Sequence, residues 1–247
     1  SVKQAISSAS PNETQRSIAE ALKDGDKVSV MLGNAAMAHP QYSTLKALAG
    51  IIARASGATL GVLTEAGNSV GGWLAGVLPH RGPAGRAAAR AGLDAHAMLA
   101  APRKGYLLLG VEPESDCADA AAAQAAMQAA EIVVSITAFA SEAMKACADV
   151  LLPMGAFTET AGTFVNTEGR WQSFAGVAAS PGDSRPGWKV LRVLGNQFGL
   201  DGFEQDSSED IREALRQQCG TIKLDNSQSA GPVAAAMPAD GLQRIGD

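Results

Sequence analysis

Residues 148–170 read Ala148-Asp149-Val150-Leu151-Leu152-Pro153-Met154-Gly155-Ala156-Phe157-Thr158-Glu159-Thr160-Ala161-Gly162-Thr163-Phe164-Val165-Asn166-Thr167-Glu168-Gly169-Arg170. The order is a short apolar run, a proline, and then a polar segment of Thr, Asn, Glu and Arg punctuated by Gly. The apolar run from Asp149 to Pro153 has the length and composition of a buried strand, and proline ends it. Loops this dense in polar chemistry are more often sites than spacers.

Four similar apolar runs precede it: Lys27 to Leu32, Ala58 to Thr64, Gly105 to Gly110 and Glu131 to Thr137. Their Val, Ile and Leu content predicts strands buried on both faces, hence parallel ones. Helical periodicity lies between them. Asn12 to Lys23 places Ile18, Ala19 and Leu22 on one side, with Asn12 as the cap. Tyr42 to Arg54 repeats Leu45, Leu48, Ala49 and Ile52 and is closed by Ser56-Gly57. Asp116 to Ala130 is an alanine-rich helix, and Ser141 to Ala148 a short one. Strands alternating with helices over short turns imply right-handed βαβ units. The expected fold class is α/β, with Rossmann-like parallel sheets and flanking helices.

Proline and glycine at Pro79-His80-Arg81-Gly82-Pro83-Ala84-Gly85 interrupt the alternation. The expected organisation is a first α/β half over residues 1–78, a connecting loop and helix over 79–104 (with Asp94 to Ala100 helical), and a second α/β half over 105–224. Residues 225–247 form a linker and a truncated segment. Arg170 to Ala179 reads as extended. Pro186 to Gln197 is helical, with Trp188, Leu191 and Leu194 on one face, and Ser208 to Gln218 is helical with Ser208 as its cap. Asn226 to Pro232 has linker composition. The apolar-polar pattern of Leu242 to Asp247 breaks off, so a piece of a longer protein is expected.

The chain has 247 residues, 46% hydrophobic and 18% charged, which suits a folded core and argues against disorder. A net charge of -5 gives no basic footprint for nucleic acid. No apolar run approaches the roughly 18 residues of a membrane span, so direct membrane insertion is not expected. Cys117, Cys147 and Cys219 are dispersed and form no CxxC pair, while an iron–sulfur cluster takes about four thiolates. His39, His80 and His96 share no ligand spacing. Neither a catalytic residue nor a metal ligand is expected.

Ligands of open parallel sheets gather at the carboxyl ends of strands. The first such end carries Gly33 and Asn34, the second Glu65, Gly67 and Asn68, the third Gly110 followed by Glu112, Glu114 and Asp116. Glycine permits close backbone approach, but there is no G-x-G-x-x-G and no P-loop lysine. The three carboxylates of the third loop would repel a pyrophosphate. Arg81, Arg86, Arg90, Arg103 and Lys104 form a basic set around the central loop, suited to solvent or to an acidic partner. The polar groups of residues 159–170 have two readings. In one, Glu168 pairs with Arg170, Asn166 and Thr163 satisfy backbone groups, and Gly162 and Gly169 take positive φ. In the other they touch a cofactor.

The run resembles the signature of the molybdopterin oxidoreductase family, a strand Ala-Asp-Val-Leu-Leu-Pro running into Glu-x-x-Gly-Thr-Phe-x-Asn-x-Glu-Gly-Arg. The matching positions are Ala148 to Pro153, then Glu159, Gly162, Thr163, Phe164, Asn166, Glu168, Gly169 and Arg170. Leu107 to Gly110 and Pro181 to Trp188 fit as well, and the likeness covers residues 20–200. The wording of Thr167 to Phe174 is most similar to the branch formed by the large cluster-bearing chain of bacterial respiratory complex I, the NADH:quinone oxidoreductase. The resemblance implies domains like those of formate dehydrogenase and DMSO reductase. Active members bind a bis-pterin molybdenum cofactor and an iron–sulfur cluster. The respiratory branch instead keeps its clusters in an upstream Cys-rich region and uses this domain as structure.

The resemblance therefore implies no cofactor in this chain, iron–sulfur clusters upstream in the full-length protein, and other peripheral-arm subunits of complex I as partners. It implies a cytoplasmic location on the inner face of the bacterial plasma membrane, within a complex that passes electrons from NADH to quinone coupled to ion translocation. Gly33, Asn34, Glu65, Gly67, Asn68, Gly110, Glu159, Gly162, Thr163, Asn166, Glu168 and Arg170 are then candidates for a vestigial pterin pocket. The alternative is a catalytic, formate-dehydrogenase-like fragment that binds pterin or guanine nucleotide at the loops starting at Gly33, Glu65 and Gly110. A flavodoxin-like nucleotide module is a weaker third reading, because the glycine fingerprint is missing.

Overall fold

Asn12 starts the first helix by capping chemistry. In the computed structural model, which describes residues 6–221, its side chain accepts the Gln15 N–H at 2.9 Å while the Gln15 side chain accepts the Asn12 N–H at 2.9 Å. This reciprocal pair satisfies two donors at the end of helix Glu13–Asp24. Strand β1 (Ser29–Leu32) follows, then helix Tyr42–Ser56, closed by Gly57 in the left-handed region at φ 71°, and then β2 (Thr59–Val62). The two strands are parallel, Ser29 opposite Thr59 and Leu32 opposite Val62. Ala49 and Ala53 of the helix and Ala58 are buried beside them. Small side chains let the helix lie close to the sheet.

The chain divides into two compact units at Gly67 and Asn68, the second running to Thr221. The second unit contains β3 (Gly105–Leu109), β4 (Ile132–Thr137) and β5 (Val150–Pro153), parallel and in sequential order. Helix Ala120–Gln128 makes the first crossover and helix Glu142–Cys147 the second. The core gathers on β4: Val133, Ser135 and Ile136 are almost fully buried, along with Ala123, Ala126, Met127 and Met144. The buried Ser135 hydroxyl donates to the Met144 sulfur at 3.1 Å. Tyr106 joins this core, and its hydroxyl donates to the Met98 carbonyl at 3.0 Å and accepts the Arg103 N–H at 2.9 Å. The polar tip thus ties helix Ala95–Ala100 to the start of β3.

An antiparallel hairpin of β6 (Gly162–Val165) and β7 (Trp171–Phe174) comes next, then helices Gly187–Gln197 and Ser208–Cys219. The mixed α/β class with parallel sheets is as expected. Four local expectations are corrected. Burial on both faces is confined to β4, since β1, β2 and β5 have no fully buried residue and β3 has only Tyr106. Sheets of two or three strands are nearly all edge. The helix expected over 116–130 is split: Asp119 accepts the Ala122 N–H at 2.9 Å and restarts the chain after helix Pro113–Asp116. Ser207, not Ser208, caps the last helix, accepting the Asp210 N–H at 3.0 Å. The glycine-rich loop after β2 becomes helix Ser69–Ala75. The expected linker from Asn226 to Pro232 lies outside the described residues.

Candidate functional site

Residues 166–170 form the turn of the β6–β7 hairpin. The Asn166 side-chain oxygen accepts the N–H groups of Glu168 at 3.1 Å and Arg170 at 2.9 Å. Its backbone N–H donates to the Arg170 carbonyl at 3.2 Å, and the Gly169 N–H donates to the Asn166 carbonyl at 2.9 Å. Asparagine suits this position because its short amide mimics a backbone carbonyl. Gly169 is at φ 76°, where a Cβ is disfavoured. Glu168 and Arg170 approach at 3.9 Å with both side chains 71% exposed, so their attraction is screened and adds little.

Below the turn, Thr163 and Ser173 stand opposite each other with their hydroxyls 2.9 Å apart. The expectation that Thr163 serves a backbone group is corrected, because its cross-strand neighbour is itself a hydroxyl. Positive φ at Gly162 is also corrected. That glycine leaves room for a ring: a Cβ there would sit 2.8 Å from Phe174 Cζ. Phe174 in turn meets Phe164 edge to face, with centroids 5.2 Å apart.

Asn68 braces this hairpin, and Glu159 closes the turn that precedes it. Glu159 ends the short 3-10 turn Phe157–Glu159, and its carboxylate accepts the Ala156 N–H at 3.0 Å. Asn68 opens helix Ser69–Ala75, and its side-chain oxygen accepts the Val165 N–H at 2.8 Å. Gly71 has no room for a side chain, since a Cβ would lie 2.0 Å from that same oxygen. The Asp of the signature strand works in the same way. Asp149 accepts the Val133 N–H on its carboxylate at 2.7 Å and donates its own N–H to the Val133 carbonyl at 2.9 Å, which extends the β4–β5 ladder by one residue.

At the carboxyl end of β3, Gly110 takes φ 59° and donates its N–H to the Ile136 carbonyl at 2.8 Å. The acidic loop behind it folds on itself. Asp116 accepts the Glu112 N–H at 2.7 Å, and the Ser141 hydroxyl donates to Glu114. Ser141 also caps helix Glu142–Cys147 through the Met144 N–H. Burial, and then the Glu114 charge, push the Cys147 thiol above its usual pKa. Burial and then Asp116 do the same to Cys117. Gly33, Asn34, Glu65 and Gly67 belong to the first unit, Asn34 and Glu65 being exposed, whereas the other candidates belong to the second. On and beside the hairpin, Asn68 bonds Val165, Thr163 bonds Ser173, Asn166 bonds Glu168 and Arg170, and Gly162 makes room for Phe174. Gly110 stands apart from these residues, at the end of β3.

Sequence reasoning missed Ser173 and Arg212. The Arg212 guanidinium donates from Nη1 to the Ser173 hydroxyl at 2.8 Å, and Arg216, one turn on, places its guanidinium 5.8 Å from the Trp171 ring centre. No local spacing announces a partner 39 residues away. Among the described residues no group of three or more His, Cys, Asp or Glu is arranged to hold a metal, and no helix is long and apolar enough to cross a membrane.

A family model described as molybdopterin oxidoreductase matches residues 5–197. The chain is 47% identical over 53 residues to the mitochondrial NADH-ubiquinone oxidoreductase 78 kDa subunit of Neurospora crassa, 22% of this chain and 7% of that protein. It is 43% identical over 61 residues to the NADH-ubiquinone oxidoreductase 75 kDa subunit of Reclinomonas americana, 23% of this chain and 9% of that one. A protein carrying the formate dehydrogenase name from Staphylococcus aureus (strain USA300) is 39% identical over 69 residues, 28% of this chain and 7% of its own length. The chain thus spans less than a tenth of each of these relatives.

Proposed function

This chain belongs to the molybdopterin oxidoreductase family, and from that premise we propose that it is a structural, pterin-free α/β part of the large iron–sulfur subunit of an NADH:quinone oxidoreductase. The observation that carries the reading is the internal use of the signature's polar atoms. A pterin ring needs acceptors for its own N–H groups, and its phosphate groups need donors and close backbone approach. In the second unit, the side-chain oxygens of Asn68, Asn166 and Glu159 already accept backbone N–H groups, and Thr163 is engaged by Ser173. The loop after β3 presents Glu112, Glu114 and Asp116, which would repel phosphate. The residues present do not fit the group.

The stretches shared with the 75 and 78 kDa subunits support the same assignment. On this reading the iron–sulfur clusters lie upstream in the full-length protein. The partners are other peripheral-arm subunits of the complex, and the assembly rests on the inner face of the bacterial plasma membrane. This domain's contribution is shape: a rigid sheet and a hairpin fixed by polar bonds.

The test is elemental and pterin analysis of the full-length subunit purified with its complex, alongside the isolated chain. Iron without molybdenum or pterin in the former, and neither in the latter, is expected. Stoichiometric molybdenum or pterin, or NADH oxidation by the isolated chain, would overturn the proposal. The second reading, a formate-dehydrogenase-like fragment, is favoured by the shared stretch with the S. aureus protein. It requires guanine nucleotide or pterin to bind, and calorimetry with a guanine nucleotide separates the two.

A further inference from the structure

Within the second unit, a pocket of about 320 Å³ opens between the start of helix Ser69–Ala75, the β6–β7 hairpin and helix Ser208–Cys219. Its size is at the lower end of the range for small-molecule sites, roughly 300–1,000 Å³. Trp171 and Trp188 contribute aromatic surface, and Gly71 and Gly72 contribute bare helix backbone. Among its lining residues Arg212 is the one cation, and there is no carboxylate. Glu209, Asp210 and Glu213 of the same helix are outside the lining.

Arg212 is held but not neutralised. Its Nη1 donates to the Ser173 hydroxyl at 2.8 Å, and Ser173 is in turn paired with Thr163. Its Nε is buried and has no hydrogen-bond acceptor among the described residues. A buried donor without an acceptor is costly, and more so on a charged group. The other polar lining side chains do not answer that charge, because the Asn68 oxygen is taken by Val165, the Thr163 hydroxyl by Ser173, and the Ser208 hydroxyl is paired with the Glu209 carboxylate. A fixed cation in an apolar, tryptophan-walled pocket is complementary to an anionic head on an apolar body.

We propose that this pocket binds a small amphipathic carboxylate, its charge on Arg212 and its apolar part between the tryptophans and the Gly71-Gly72 backbone. The site is independent of the assignment to a respiratory subunit. Gly72 supplies a variant that tests occupancy without touching the cation. A Cβ at Gly72 meets no atom within 4 Å, so a larger side chain there enters open space.

The experiment is a titration of the chain with 3-phenylpropionate, followed by tryptophan fluorescence, with 3-phenylpropanol as the neutral analogue. Saturable binding of the acid is expected, at least tenfold tighter than the alcohol. Arg212→Gln should weaken the acid at least tenfold and leave the alcohol unchanged, while Arg212→Lys should restore part of the difference. Gly72→Leu should abolish binding of both with no loss of thermal stability. Should Arg212→Gln fail to fold, the Gly72→Leu result still decides. Absence of saturation at millimolar acid, equal affinity for acid and alcohol, or unchanged binding in Gly72→Leu would each overturn the proposal.

Discussion

The three-stranded sheet β3–β5 and the hairpin β6–β7 are adjacent in sequence and built on opposite principles. The sheet is held by burial. Val133 of its central strand packs with Tyr106, Ala126 and Met127, and Ile136 of the same strand is fully buried. The hairpin buries only Val165 completely and leaves Phe164 and Phe174 partly exposed. Its geometry is held by directed bonds: Asn166 closes the turn, Thr163 meets Ser173 across the strands, and Asn68 and Arg212 fasten it from two helices. Dense polar residues in a loop can therefore mean a loop that must hold its own shape where core is scarce.

Truncations should separate these two modes. The largest effect is expected for Ile136→Ala, which opens a cavity at a position with no solvent exposure. A loss of ~2–5 kcal/mol is expected, read as a lower urea midpoint at unchanged slope. Asp149→Ala comes next, because it strands the buried Val133 N–H and costs ~1–3 kcal/mol. Asp149→Asn keeps an acceptor and should recover most of that loss; if it does not, the carboxylate has a role other than completing the ladder.

In the hairpin, Asn166→Ala removes the acceptor for two N–H groups at a solvated turn. About 1–2 kcal/mol is expected, with faster hydrogen exchange confined to residues 162–174 and β4 unaffected. Exchange rising equally in both regions would show that the two are one cooperative element. Glu168→Ala should change stability by less than about 0.5 kcal/mol, since its partner is distant and both groups are solvated.

The smallest effect concerns pH. Hydrogen bonding from Ser207 is the main cause holding Asp210 below the usual carboxylate pKa. A depressed folded-state pKa contributes stability above the unfolded value, and that contribution is lost as pH falls through the folded one. The last helix should therefore lose helicity in acid below the ordinary aspartate range. Ser207→Ala should weaken that dependence, leaving the part due to the Ser207 backbone N–H, and helix signal in an isotope-edited spectrum would report it.

How much of this was legible beforehand follows from range. All five parallel strands were visible as apolar runs, because strand-favouring Val, Ile and Leu stand in consecutive positions even where burial is partial. The cap at Asn12 was readable, since a cap and its N–H are three residues apart, while in Ser207-Ser208 two adjacent serines offered the same chemistry and the first one caps. The break at Asp119 was hidden, because alanines on both sides carry no phase. The helix from Ser69 was hidden in a run with three glycines, which favours loops on local propensity.

For the candidate site, the positions of interest were legible and their partners were not. Asn166 and Gly169 act within five residues, so a turn could be read from their order. The bonds of Asn68 to Val165 and of Arg212 to Ser173 span 97 and 39 residues. Sequence by itself determined the α/β class, the positions of the five parallel strands and the family. The tertiary structure alone decided that the signature's polar atoms face one another, and that one arginine is left facing an apolar pocket. The physical reason is that secondary structure follows from local sterics and hydrophobic pattern, while the satisfaction of a polar group depends on which distant atom the fold places within hydrogen-bonding reach.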